Sequence, residues 1–131
     1  MIFLYKRERQ RDTVWCYKSG LIHSNKTAVR FLLELMDIEN VEITCVTLYD
    51  NSRLLNEKGD SCDIPCEEWN EDILKKIETM SIDNIAIDLM YQDMPVTISI
   101  DLKTMTIGII TKRENHFTRE TIEDIFKTQR S

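Results

Sequence analysis

The sequence predicts an α+β fold, a two-layer sandwich in which an antiparallel sheet packs against about three helices. Over residues 84–111 three runs alternate apolar and polar side chains with a period of two. The connections between them are too short to hold a crossover helix, so they form a three-strand antiparallel meander. One phase of the meander is Ile, Val and Leu and the other is largely polar, which asks for cover on a single face. Three other stretches have helical spacing and one apolar stripe each, and a sheet face and three stripes of this kind bury one another.

Taken in order, residues 1–6 read as a strand, 7–12 as a charged turn, 13–17 as a second strand and 18–20 as the turn that ends it. This opening hairpin can extend the sheet at an edge. Ser24 or Asn25 caps a helix over 25–37, whose stripe contains Ala28, Val29, Phe31, Leu32, Leu35 and Met36, widened by Leu33. Residues 41–49 are rich in β-branched and aromatic side chains and read as a strand, followed by the turn Asp50-Asn51-Ser52 and a short return strand over 53–56.

A second helix is predicted over 67–80, with Trp69, Ile73, Leu74, Ile77 and Met80 on one side. Glu71 with Lys75 and Asp72 with Lys76 stand at i,i+4 in the favourable order. Its first turns carry Glu67, Glu68, Glu71 and Asp72, which suits the positive end of the helix dipole. After the meander, Thr118 is a good N-cap, and Phe117 with Ile122 has the spacing of a hydrophobic staple. Ile122, Ile125 and Phe126 then form the stripe of a last helix that can lie across the meander.

At 131 residues the chain reads as one domain, 1–131, large enough to bury a core without disulfides or a metal. Five apolar residues before Lys6 are too few for a secretory signal, and no run approaches a membrane span, so the expected location is cytoplasmic. In a reducing compartment the four cysteines are thiols, Cys16 and Cys45 within strand-like runs and Cys62 and Cys66 in a polar loop.

Charge is distributed very unevenly. Residues 1–30 hold seven Lys/Arg against two Asp/Glu, residues 31–101 hold four against seventeen, and residues 102–131 hold six against four, for a net charge of −6. A chain so polarised is built to meet something charged.

Motifs for chemistry are sparse. Cys62-x-x-x-Cys66 offers two zinc ligands, but no second closely spaced pair completes the four that a structural site takes, so these read as loop thiols. A Cys with His23 or His116 would be needed for a nucleophilic dyad, and three glycines build no phosphate cradle. Asp88 and Asp101 lie on the polar phase of neighbouring strands with Asp93 in the turn between them, and alternation alone explains them as a solvated face. Lys6, Arg7, Arg9, Arg11, Lys18, Lys26 and Arg30 are interleaved with Tyr5, Trp15 and Tyr17, a pattern that suits nucleic acid, although a pI of about 4.9 opposes it. An edge hairpin also uses Lys and Arg to discourage aggregation.

The densest feature is acidic. Glu57, Asp60, Asp63, Glu67, Glu68, Glu71 and Asp72 fall within sixteen residues, around Trp69. These seven are the expected partner-binding residues. Together with the lack of catalytic motifs they point to a non-enzymatic, cytoplasmic protein-binding module of the acidic immunity or antitoxin kind, which neutralises a basic, nuclease-like toxin. The alternatives are a nucleic-acid-associated module using the N-terminal hairpin and a small Cys/His enzyme. No cofactor, metal or membrane partner is implied, and the oligomeric state stays open, since an exposed strand edge can pair two copies.

Overall fold

A computed structural model describes residues 2–50, 53–54, 63–65, 71–79, 81–112 and 119–127. Eight strands and three helices follow the order β1 (Ile2–Arg9), β2 (Asp12–Lys18), α1 (Asn25–Met36), β3 (Val41–Asp50), β4 (Arg53–Leu54), β5 (Asp63–Pro65), α2 (Glu71–Thr79), β6 (Asn84–Tyr91), β7 (Met94–Asp101), β8 (Thr106–Lys112) and α3 (Arg119–Lys127). All strands join one antiparallel sheet in the order β1-β2-β8-β7-β6-β3-β4, with β5 also paired to β3. Six strands are long, and β4 and β5 are short additions at the β3 edge.

Pairing register explains the core. Side chains alternate across each strand, so cross-strand partners form rows on one face. One inward row runs Leu48, Ile85, Ile100, Ile107, Tyr17 and the next Val46, Ile87, Ile98, Ile109, Trp15. A third, Ile43, Leu89, Val96, ends in the buried threonines Thr111 and Thr13. The opposite face carries rows such as Thr47, Ala86, Ser99, Gly108, Cys16 and Cys45, Asp88, Thr97, Ile110, Val14, most of them only half-buried. Ala28, Val29, Phe31, Leu32 and Leu35 of α1, Ile77 of α2 and Ile122 of α3 join the same buried cluster as the inward rows.

Helix α1 starts where the sequence places it. Ser24 is the N-cap: its Oγ accepts the Thr27 N–H at 3.3 Å, and Thr27 Oγ1 accepts the Ser24 N–H at 3.0 Å, a capping box with threonine in the place of the usual glutamate. The Asn25 side chain donates to the Ile77 carbonyl at 3.0 Å and ties α1 to α2. Leu33 and Met36 stay exposed, so the widened stripe covers one side only.

The meander forms over the expected span, and the opening hairpin adds to it through β2 and β8. Three details differ from expectation. The charged residues near the first turn are strand, because β1 continues to Arg9 and β2 begins at Asp12, leaving a two-residue turn with Gln10 at φ 55. The β6–β7 turn is of the same length, with Gln92 and Asp93 both at positive φ, the geometry that matches strand twist. Met105 closes the β7–β8 turn at φ 57 instead of opening the last strand, and the Asp101 carboxylate accepts the N–H groups of Lys103 and Thr104. Helix α2 is described over Glu71–Thr79, and its expected start at 67 lies, with Trp69, Phe117 and Thr118, outside the described residues.

Candidate functional site

The strand order sorts the charged parts of the chain. The basic hairpin β1–β2 stands at one end of the sheet, and β4 and β5, which belong to the acidic middle of the sequence, stand at the other. Six strand spacings separate β1 from β4, about 29 Å at roughly 4.8 Å each. Among the seven carboxylates expected to bind a partner, Asp63 begins β5 and pairs with Thr47, Glu71 begins α2, and Asp72 is exposed on α2. Glu57, Asp60, Glu67 and Glu68 lie outside the described residues.

At the basic end, β1 is the outermost strand, and seven of its eight residues are exposed. A bulge at Leu4 shifts the register, so that Phe3 faces Tyr17 but Tyr5 faces Cys16. Phe3 therefore lies on the inward face, edge-on to Tyr17 with ring centroids 5.4 Å apart. Lys6 follows on that face, its ammonium 4.9 Å from the Trp15 ring centre and 3.7 Å from Glu8. On the other face Tyr5 lies under the Arg7 guanidinium, 5.2 Å from the ring centre. The Tyr5 hydroxyl has a raised pKa, chiefly through its hydrogen bond to and charge interaction with Cys16 and then burial, with Arg7 opposing.

Two of the three aromatics that the nucleic-acid pattern relies on are core residues. Trp15 and Tyr17 are 6% and 1% exposed, and Trp15 extends the row begun by Val46. Neither can stack on a base without unfolding the hairpin, which leaves Tyr5 at 43% exposure. Among the described residues the Trp15 Nε1 and the Tyr17 hydroxyl have no hydrogen-bond partner. Burial, with Glu123 and Glu120 nearby and Arg119 opposing, pushes the Tyr17 hydroxyl up to about 12.

The carboxylates of the meander do not gather. Asp88 pairs with Thr97, whose hydroxyl donates to Asp88 Oδ1 at 2.8 Å, whereas Asp101 pairs with Asn84 and Thr106 at the far end of β7. Four strand steps from Thr97 to Asp101 put the two acids about 14 Å apart. Asp93 is exposed in the turn at the opposite end of β7. Asp88 and Asp101 are hydrogen-bonded locally, and Asp93 faces solvent.

Among the described residues, no group of three or more His, Cys, Asp or Glu side chains is arranged to hold a metal ion. Cys62, Cys66 and His116 lie outside them. His23 precedes α1, and its backbone N–H donates to Thr27 Oγ1 at 3.0 Å. No described helix is long and apolar enough to cross a membrane. No protein-family model matches the chain, and no curated protein or solved structure does either.

Proposed function

We propose that the chain is a non-enzymatic binding module that acts in the cytoplasm and inhibits a basic protein of the nuclease-toxin type. The contact is made by the acidic stretch containing Glu57, Asp60, Asp63, Glu67, Glu68, Glu71 and Asp72. Those carboxylates meet the Lys and Arg side chains with which such a partner holds phosphate, and opposite potentials steer the encounter. The domain is taken as a two-layer sandwich, with the three helices on the apolar face of the sheet. The shared cluster of α1, Ile77 and Ile122 with the inward rows supports this arrangement.

The observation that carries the reading is the strand order. It separates β1 from β4 and β5 by the width of the sheet, so the basic hairpin and the strands of the acidic stretch stand at opposite ends. The test uses any toxin-domain protein encoded immediately upstream of this chain. The reading requires that co-expression restores growth, that the purified chain blocks the nuclease activity, and that association slows as salt rises. Combined Glu67→Lys, Glu68→Lys, Glu71→Lys and Asp72→Lys changes then slow association roughly tenfold or more at low salt, while Arg7→Ala and Arg9→Ala leave it unchanged. Lack of inhibition, or the reverse pattern of effects, rejects it.

A further inference from the structure

We infer that the free edge of β1 takes up an extended acidic peptide as an added strand. This goes beyond the inhibitor reading, since it concerns the other end of the sheet and a ligand of the opposite charge. An outermost strand offers an unpaired row of backbone N–H and C=O groups, and strand addition uses that row for affinity and alternate side chains for selectivity. Here the row is eight residues long and its only strand partner among the described residues is β2. The edge is also accessible in its side chains: Ile2, Leu4 and Tyr5 are 65%, 46% and 43% exposed.

Charge selects the occupant. Beyond the bulge, Tyr5, Arg7 and Arg9 share one face of β1, and neither arginine is ion-paired among the described residues. Carboxylates two residues apart on an incoming strand reach both guanidiniums, because side chains of a strand recur on one face every second residue. A second copy of β1 is a poor occupant. It brings Lys6, Arg7 and Arg9 against their own like, and the bulge at Leu4 breaks the regular row. The same cations thus reject self-pairing and favour an acidic strand.

The experiment titrates the whole chain with an eight-residue synthetic peptide alternating Glu and Thr, and follows the amide signals and hydrogen exchange of β1. Three controls accompany it: the Lys/Thr counterpart, a Glu/Thr peptide N-methylated at alternate amides, and single-stranded oligothymidylate. The acidic peptide is expected to shift and protect β1 amides selectively, and the Lys/Thr and N-methylated peptides to fail. Arg7→Glu with Arg9→Glu should weaken it about tenfold or more. Arg7→Gln with Arg9→Gln, which keeps the fold with less charge disturbance, should weaken it by a smaller factor. Several results would overturn the inference: no binding, equal binding of the N-methylated peptide, shifts outside β1 and β2, tighter binding of the oligonucleotide, or a β1-mediated dimer in light scattering. Because Glu67, Glu68, Glu71 and Asp72 play no part, their reversal to Lys must leave peptide binding intact even if it abolishes inhibition of a toxin.

Discussion

The guanidinium carbon of Arg119 lies 3.9 Å from the centre of the Phe3 ring, and this contact fastens the start of α3 to the outermost strand. The same guanidinium donates from Nε to Glu123 Oε1 at 2.7 Å, one turn further along α3. The ion pair holds the cation in place over the ring. A contact of this kind at a half-exposed site is worth about 0.5–1 kcal/mol. In a cycle of Arg119→Ala and Phe3→Leu, denaturant unfolding should give a coupling of that size, and additive effects would show the contact to be idle.

Tyr17 makes a prediction about alkaline stability. Its hydroxyl titrates at about 12 in the folded chain, against an ordinary value near 10. The unfolded chain therefore loses this proton first as pH rises, and above pH 10 it binds fewer protons than the folded form. Stability is unaffected below pH 10 and falls between 10 and 12, by about 1.4 kcal/mol per pH unit at most. Tyr17→Phe removes both the titration and a buried hydroxyl that has no hydrogen-bond partner among the described residues. It should be neutral to stabilising at pH 8 and should lose less stability than wild type at pH 11, measured by urea unfolding at both values.

Ser24 tests the start of α1. Ser24→Ala removes the acceptor of the Thr27 N–H and one side of the capping box. The expected loss is about 1 kcal/mol, with Ser24→Gly losing less, both read as shifts in the denaturation midpoint.

Gly108 tests the sheet face away from the core. A Cβ added there would meet the Ser99 Cβ and carbonyl oxygen at 3.9 Å, ordinary van der Waals contact. Its backbone is strand, between Cys16 and Ser99. Gly108→Ala should therefore raise stability, by about 0.5 kcal/mol, through lower entropy of the unfolded chain. A loss of more than that in thermal unfolding would show that this row is packed by something else.

The period-2 runs of the meander were readable because each buries one face, and a one-residue slip would expose every Ile. Strand β5 was not. Asp63, Ile64 and Pro65 are too few to show a period, and they become strand only by pairing with β3. The ends of the first hairpin were misplaced for a related reason. Arg7 and Arg9 lie on a strand exposed on both faces, where no apolar alternation marks the element, so they look like loop. Trp15 and Tyr17 illustrate a limit of composition in judging a site. Beside lysines and arginines they suggest base stacking, yet their period-2 phase puts both in the core rows. Tyr5 is separated from them by the bulge at Leu4, which turns it to the face opposite Phe3. The acidic stretch is legible as charge in the sequence, and only Asp63, Glu71 and Asp72 of it are placed.

The pairing of β2 with β8 joins residues 12–18 to residues 106–112. On a ribosome the β1–β2 hairpin emerges well before β8, the neighbour it pairs with in the sheet. Until then Trp15 and Tyr17 have no row to complete, and apolar side chains left exposed in this way favour aggregation. Removing β8 would cost this protein the anchorage of its β1–β2 hairpin as well, although the two stand far apart in the sequence.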